Sequence, residues 1–362
     1  MHAEGHAPGR IALLGSGETS LAGGRVFESL VRAHGVPTPL RVAVLETPAG
    51  FELNSDRVAG RVADFLAVRL QNYRPEIAVL PVRKRGTPYS PDDADITAPL
   101  LRADLIFMGP GSPTYAVRQL ADSLAWHRLI ARHRVGATLA FASAAVISIS
   151  ALALPVYEIY KAGHDLHWEP GLDLFGAYGL KLVFVPHWNN AEGGAELDTS
   201  RCFMGRYRFE ALRAMLPPDV TVVGIDEHTA LAIDLADGAA EVMGAGDVTV
   251  VLGHEARGFA PGGRFSLAEF GPFAWPQPDA GLPAEVWAEA LAVAEATAAP
   301  RQEPAEVLAL VEQREMARSQ RAWAEADRLR QQVAAQGWQI RDTPAGPRVE
   351  AMPSDRPRAD TD

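Results

Sequence analysis

Residues 137–156 read ATLAFASAAVISISALALPV, and this stretch is the most informative about the fold. It is the longest apolar run in the chain and approaches the length of a membrane-spanning helix. Hydroxyl side chains interrupt it at Thr138, Ser143, Ser148 and Ser150. We therefore interpret it as a buried strand that leads into a buried helix, with Ser143 at the junction.

Short apolar runs alternate with longer amphipathic runs over the first two-thirds of the chain. The predicted strands are residues 11–14, 42–45, 77–81, 105–108, 138–141 and 182–185. The predicted helices between them are residues 25–33, 55–73 and 114–134. This alternation is typical of an α/β fold in which helices cover both faces of a mostly parallel sheet.

The pattern then changes to short strands separated by turns such as Asp237-Gly238. These strands are predicted at residues 221–225, 230–234, 240–243 and 248–252. We interpret them as an antiparallel meander that closes one edge of the sheet.

The C-terminal part has a different organisation. A proline-rich stretch, 273–283, is interpreted as a linker between a main domain, 9–272, and a helical module, 284–350. In that module helical patterns at 284–297 and 306–336 precede a predicted hairpin over 337–350. Residues 351–362 are polar and proline-rich and are expected to be disordered.

Composition excludes several classes of protein. The 362-residue chain has a formal net charge of −11, which argues against a surface that grips nucleic acid or an anionic membrane as a whole. A single cysteine, Cys202, excludes an internal disulfide and a cysteine-built zinc site. The N-terminus does not resemble a secretion signal, so we expect a cytoplasmic protein with no membrane association.

Glycine-rich and polar segments follow the predicted strands where ligands bind in α/β sheets, beyond the carboxyl ends. These segments are 15–19, 46–47, 109–113, Ser143 and 187–190. A serine, a histidine and backbone donors on one rim are the groups that acyl transfer needs. Taken singly, each residue also fits a structural role, because Ser143 could cap a helix and His187 could make a structural hydrogen bond. Gly15-Ser16-Gly17 by itself is a weak phosphate-loop signal.

Residues 224–231, GIDEHTAL, are followed by AEVMG at 240–244 and VTV at 248–250. This stretch resembles the strand pair of the cyanophycinase and dipeptidase E family of serine peptidases, whose fold is that of the class I glutamine amidotransferases. The resemblance extends from residue 11 to about residue 270. Gly109-Pro110-Gly111 is similar to the family's oxyanion loop.

The resemblance implies a hydrolase of amide or peptide bonds. It places Ser143 at the nucleophile of the family's elbow, His187 at its histidine and Glu158 where its acid would lie. The backbone N–H groups of Gly111 and Ala144 would form the oxyanion hole, and no metal or organic cofactor is required. Other carboxylates stay open as the acid, namely Asp165, Glu169, Asp173 and Glu192.

On the same rim we expect Gly15, Glu18, Ser112 and Asn189 to contact a small peptide or amide substrate. Two residues depart from the family's elbow, where Phe141 and Ala145 replace glycines. Glycine in such a turn permits close backbone approach, so these departures favour an alternative hypothesis, a hydrolase fold without catalysis.

Residues 307–349 resemble the C-terminal appendage of cysteinyl-tRNA synthetases. The matching positions include Arg314, Trp323 and the turn that begins at Asp342-Thr343. The nucleotide-binding motifs of those enzymes have no counterpart, so we do not predict aminoacylation. The resemblance implies a partner, either tRNA or another protein, and the alternative function is non-catalytic binding of that partner.

The charge of the C-terminal module is consistent with either partner, tRNA or another protein. Residues 301–350 contain eight arginines and eight acids, so non-specific attraction to phosphate is expected to be modest. Arg314, Arg318, Arg321 and Arg328 fit either a basic stripe or a solvated helix face with ion pairs. A homodimer is also consistent with the sequence.

Overall fold

The structure, a computed structural model, describes residues 7–34, 38–298, 304–343 and 346–351. It separates into two compact units, Met1–Ala294 and Glu295–Asp362. The expected mixed α/β fold with a small C-terminal module of helices and a hairpin is confirmed.

The helices are α1 (Leu21–His34), α2 (Ser55–Arg69), α3 (Ala94–Thr97), α4 (Pro113–Leu120), α5 (Leu124–Arg134), α6 (Ala144–Ser148), α7 (Val156–Tyr160), α8 (Gly205–Ala214), α9 (Ala284–Ala298), α10 (Ala305–Ser319) and α11 (Trp323–Ala335). The strands are β1 (Ile11–Leu14), β2 (Arg41–Leu45), β3 (Glu76–Leu80), β4 (Leu105–Met108), β5 (Thr138–Ala142), β6 (Leu152–Ala153), β7 (Glu169–Pro170), β8 (Leu182–Val185), β9 (Thr221–Ile225), β10 (Thr229–Asp234), β11 (Ala239–Gly244), β12 (Val248–Leu252), β13 (Glu255–Phe259), β14 (Arg264–Ser266), β15 (Trp338–Thr343) and β16 (Gly346–Ala351).

The larger sheet has the strand order β14-β11-β10-β1-β5-β4-β2-β3 among the described residues. Strands β1 to β5 in this sheet are parallel, and β10 joins β1 in antiparallel register. All residues of β1, β4 and β5 are buried, as expected for a sheet covered on both faces. Their carboxyl ends therefore present the loops after Leu14, Met108 and Ala142 at one edge of the first unit.

The predicted meander does not close one edge of a single sheet. Strands β10 and β11 join the larger sheet, whereas β9 and β12 form a second sheet with the order β13-β12-β9-β8. Strand β8 was also expected in the larger sheet, but it pairs with β9, in parallel register from Leu182↔Thr221 to Val185↔Gly224. Apolar patterning alone does not specify which strand is the neighbour, because both sheets bury the same kind of surface.

Two long helical patterns are each divided by a turn. The predicted helix 114–134 is α4 and α5, separated near Asp122, whose φ is 55°. Ser112 and Ser123 cap the two helices through their side-chain oxygens. The pattern 306–336 is likewise α10 and α11, with a turn at Arg321, whose φ is 60°.

The proline-rich stretch expected to be a linker lies within the first unit and packs against its core. Phe273 and Trp275 form an aromatic cluster with Tyr178, at ring separations of 5.3–6.0 Å. Helix α9 begins the predicted second module, yet its Glu289 accepts hydrogen bonds from Arg128 of α5 at 3.0 Å. Most of α9 therefore belongs to the first unit, which ends at Ala294, because α9 buries its apolar side against α5.

In the second unit, α10 and α11 pack together and against the hairpin β15–β16. Its small core contains Val307, Val311, Val333, Trp338 and Ile340. The tip of the predicted hairpin, residues 344–345, and the predicted disordered tail from residue 352 onward lie outside the described residues. None of the helices in the described part of the chain combines the length and apolar character that crossing a bilayer demands.

Candidate active site

Ser143 lies at a sharp turn between β5 and α6. Its φ of 52° and ψ of −114° are unusual for a non-glycine residue. The Phe141 side chain is fully buried in the core, and Ala145 N–H donates to the Gly109 carbonyl at 3.3 Å. Neither departure from the family's glycines therefore prevents the turn from forming.

A chain of hydrogen bonds connects three side chains at this turn. Ser143 Oγ lies 2.8 Å from His187 Nε2, and His187 Nδ1 lies 3.1 Å from Glu227 Oε1. Because a carboxylate only accepts, Nδ1 carries the hydrogen and Nε2 is free to accept the serine proton. This is the serine–histidine–carboxylate arrangement of hydrolases that form acyl-enzymes.

Glu227 reaches His187 because β8 and β9 are parallel neighbours. His187 is two residues beyond Val185, and Glu227 is three residues beyond Gly224, the residue paired with Val185. Trp188 fixes the register, since its N–H donates to the Ile225 carbonyl at 3.1 Å. Its indole ring occupies the space at Gly224, where a Cβ would approach ring carbons to 2.3 Å.

Two asparagines hold the Glu227 carboxylate and its backbone. Buried Asn190 donates to Glu227 Oε1 at 2.9 Å, and Asn189 Oδ1 accepts from the Glu227 N–H at 2.9 Å. Burial alone raises the pKa of a carboxyl, but hydrogen bonds from Asn190 and His187, together with electrostatic attraction to His187 and His228, hold the pKa of Glu227 below its ordinary value. Glu227 is therefore anionic near neutral pH and can stabilise an imidazolium.

A turn at 201–203 fixes the backbone on the far side of His187. Arg201, Cys202 and Phe203 have consecutive φ values of 58°, 57° and 66°. In this turn the N–H groups of Arg201 and Cys202 donate to the carbonyls of Trp188 and His187, respectively. Burial raises the pKa of the Cys202 thiol to about 12, so this cysteine is a packing residue and not a thiolate nucleophile.

The loop after β4 approaches its neighbours closely at Gly111. Its φ is 145°, and a Cβ there would lie 1.9 Å from the Pro48 carbonyl oxygen. Within the described part of the chain, neither the Gly111 nor the Ala144 N–H donates to a backbone carbonyl. Neither N–H group therefore has a backbone acceptor among the described residues, and the Ala144 N–H is at the start of α6, next to Ser143.

The structure does not bring Glu158 to His187. Glu158 accepts a hydrogen bond from Thr114 Oγ1 at 2.5 Å, and Thr114 Oγ1 lies 3.1 Å from Ser112 Oγ. Ser112 in turn caps α4 by accepting from the Tyr115 N–H. Helix α7 places Glu158 beside the start of α4, so its carboxylate supports the loop that carries Gly111.

Several residues expected to contact substrate instead contact the loop that carries Glu227. Gly15 lies against the Asp226 carbonyl, which a Cβ would approach to 2.1 Å, and the Ser16 hydroxyl accepts from the His228 N–H at 3.0 Å. Asn189 is exposed but accepts from Glu227, as described above. Glu18 is half-buried in the same loop as Gly15 and makes no hydrogen bond to the three site residues within the described part of the chain.

Glu227 contacts His187 but is not among the site residues that the sequence predicts. It stands within GIDEHTAL, the most specific stretch of the sequence, so a signal was present. The stretch was assigned to an antiparallel meander, whose ends alternate between the two edges of a sheet. The parallel pairing of β8 and β9 was needed to place Glu227 at the edge that holds His187.

Comparisons with known proteins match the two units separately. Residues 301–348 match the model of the cysteinyl-tRNA ligase anticodon binding domain. Over 44 residues the chain is 57% identical to the cysteine–tRNA ligase of Rubrobacter xylanophilus, covering 12% of this chain and 9% of that enzyme. It is 49% identical over 49 residues to the ligase of Chlamydia felis, covering 14% and 10%. The chain thus spans about a tenth of the length of these curated relatives.

The first unit resembles solved peptidase structures. A peptidase from an acI-B1 actinobacterium superposes with a TM-score of 0.58 and 23% identity, over 72% of this chain and 98% of that one. A putative peptidase E from Listeria monocytogenes has a TM-score of 0.42 and 14% identity, over 66% of this chain and its full length. The chain therefore combines a fold shared with the actinobacterial peptidase and a C-terminal segment similar to the cysteinyl-tRNA ligase anticodon binding domain.

Proposed function

We propose that this protein is a serine hydrolase of amide or peptide bonds, with Ser143 as nucleophile, His187 as general base and Glu227 as orienting acid. One observation carries the proposal, the continuous hydrogen-bonded chain from Ser143 Oγ through His187 to Glu227. The positive φ of Ser143 supports it, because such backbone strain clusters at active sites. The peptidase-like fold is consistent with this chemistry but does not by itself establish it.

In this mechanism His187 Nε2 takes the Ser143 proton as Oγ attacks the substrate carbonyl. Glu227 stabilises the imidazolium and keeps Nδ1 protonated, so that Nε2 later delivers the proton to the leaving amine. Water then attacks the acyl-enzyme with the same base, which releases the acid product and restores Ser143. The N–H groups of Gly111 and Ala144 are assigned to the carbonyl oxygen as it gains negative charge.

The direct test is labelling of the full chain with a fluorescent fluorophosphonate. We expect wild type to be labelled and Ser143→Ala and His187→Ala to lose labelling. Ser319→Ala, which changes an exposed serine of the second unit, is the matched control and retains labelling. Equal labelling of wild type and Ser143→Ala, or none in folded wild type, contradicts the proposal.

We propose tRNA binding as a second function, located in the C-terminal segment. The match to the anticodon binding domain favours it. Arg321 and Trp323 are exposed at the turn between α10 and α11, where a cation and an aromatic ring could contact phosphate and base. By contrast, Arg314 and Arg318 bind Asp342, and Arg328 binds Glu325.

This second function is tested by fluorescence polarisation of labelled tRNA with the full chain. We expect binding that weakens as salt rises from about 50 to about 200 mM, and a salt slope smaller by about 1 in Arg321→Glu. Arg61→Glu, an exposed charge reversal on α2, is the control for a general charge effect. Absence of binding at low salt, or equal losses in both variants, would count against an RNA site at this turn.

A further inference from the structure

Two partly exposed aromatic side chains lie beside the imidazole of His187. The Phe203 ring is centred 6.1 Å from the His187 ring, and the Tyr160 ring is centred 5.3 Å from the Phe203 ring. Tyr160 is 38% exposed and Phe203 is half-buried, so the pair presents apolar surface to solvent. We call Tyr160 and Phe203 the aromatic shelf.

Two of the cations close to the aromatic shelf along the chain, Arg201 and Arg208, are bound by the protein itself. A third, Arg206, is 80% exposed and lies 3.9 Å from Asp198. Arg201 donates to the Trp188 carbonyl at 2.8 Å and lies 3.8 Å above the Trp188 ring. Arg208 donates to the Met204 and Phe203 carbonyls at 2.8 and 3.0 Å. A substrate carboxylate would have to displace these interactions to be bound by either guanidinium.

The charged residues next to Tyr160 along the chain do not offer a free cation to an acidic substrate side chain. Glu158 is on α7 with Tyr160, and its Oε2 is buried without a hydrogen-bond partner. Lys161 follows Tyr160, but its ammonium lies 4.4 Å from the centre of the Tyr157 ring. An apolar side chain needs no ionic partner and gains free energy when it covers exposed aromatic surface.

We infer that the aromatic shelf is a substrate subsite for an apolar or aromatic side chain on a residue that flanks the cleaved bond. The inference rests on the proposed hydrolase function. Proton delivery brings the reacting bond within hydrogen-bonding distance of His187 Nε2. A side chain next to that bond then passes the Phe203 ring, which adjoins the same imidazole.

The test is a mixture of synthetic peptides whose cleaved bonds are identified by mass spectrometry. We expect phenylalanine, tyrosine and leucine to be enriched at one position next to the cleaved bond. Phe203→Ala should lose this enrichment, with the ratio of kcat/KM for a phenylalanine peptide to kcat/KM for an alanine peptide falling about tenfold or more. Tyr207→Ala, a 90% exposed tyrosine on α8, is the matched control and should behave like wild type.

Fluorophosphonate labelling of the same samples separates failure of the subsite from failure of the proposed function. Labelling together with enrichment of aspartate or glutamate, or with enrichment that persists in Phe203→Ala, overturns the subsite and leaves the hydrolase intact. Absence of labelling in folded wild type overturns both. Tyr160→Leu, which keeps an apolar side chain, should retain most of the preference and so shows whether apolar surface or the aromatic ring is recognised.

Discussion

The two glutamates near Ser143 differ in what they bind. Glu227 accepts from His187 and Asn190, whereas Glu158 accepts from Thr114. A glutamine substitution replaces one carboxylate oxygen by an amide nitrogen in either residue, yet only Glu227 contacts the imidazole of His187. The pair therefore allows the proposed role of Glu227 as an orienting acid to be tested against a carboxylate that contacts Thr114 instead of His187.

We predict that Glu227→Gln lowers kcat by about a thousandfold or more, because an amide neither stabilises the imidazolium nor favours the same tautomer. Glu158→Gln should retain much more activity, since Thr114 can still donate to the amide oxygen. Steady-state kinetics of both variants, with circular dichroism to verify folding, provides the measurement. Equal losses in the two variants would refute the assignment of Glu227.

Gly111 has a backbone requirement of its own. We expect Gly111→Ala to be destabilised and to lose fluorophosphonate labelling, because its Cβ would overlap the Pro48 carbonyl and its φ of 145° is unfavourable for alanine. Gly60→Ala, on α2 with open space at its Cβ, should instead be stabilised by about 0.5–1 kcal/mol. Urea unfolding of both variants checks the contrast, and a Gly111→Ala protein of normal stability and labelling contradicts it.

At the scale of elements, the site depends on the parallel pair β8–β9. The two strands end side by side, and Trp188 packs over Gly224 while its N–H donates to Ile225. The turn at 201–203 holds the same segment from the other side. His187 and Glu227 are thus aligned by backbone contacts of neighbouring strands rather than by their own side chains alone.

We predict that Gly224→Ala displaces Trp188, misaligns His187 and Glu227, and lowers kcat by about a hundredfold, the usual effect of a displacement near 1 Å. Gly258→Ala, in β13 of the same sheet with nothing near its Cβ, is the matched control. Kinetics and intrinsic tryptophan fluorescence of the two variants give the comparison. Wild-type activity in Gly224→Ala would show that the register of Trp188 does not control the site.

At the scale of the whole molecule, each unit has its own apolar core and its own ion pairs. In the second unit Asp342 of β15 binds Arg314 and Arg318 of α10 at 2.9 and 2.7 Å. Hydrogen bonds from Arg314 hold the pKa of Asp342 well below its usual range. This cluster joins the hairpin to α10, where the apolar core is small.

The sign of this pKa shift predicts a pH dependence. Because the folded pKa of Asp342 is below its unfolded value of about 3.9, its stabilisation is complete above that pH and is lost as the pH falls through the folded pKa. Asp342→Asn should therefore lower the stability of the second unit near neutral pH, and its difference from wild type should narrow below about pH 4. Hydrogen exchange of α10 and β15, corrected for intrinsic rates, measures this, and a pH-independent difference contradicts it.

The sequence alone determined the fold class, both resemblances and the prediction that Ser143 and His187 lie close together. It placed His187 after a strand of the same sheet, whereas β8 belongs to the second sheet. Apolar residues recur at different intervals in strands and in amphipathic helices, so the sequence distinguishes the two. Glycine or polar residues after the strands mark the edge of the sheet where ligands bind. These signals are local, so they can be read along the chain. The same local signals placed α9 in the second module, although it packs against α5 of the first unit.

Only the tertiary structure decided which acid faces His187. Glu158 and Glu227 are both carboxylates after apolar segments. Glu227 stands in the more specific stretch, GIDEHTAL, but the local pattern of neither segment shows which carboxylate contacts His187. Which carboxylate contacts His187 depends on the parallel pairing of β8 with β9. This pairing brings together His187 and Glu227, which are 40 residues apart in the sequence. Strand pairing arises from the packing of the whole core, and for that reason only the folded chain shows which carboxylate contacts His187.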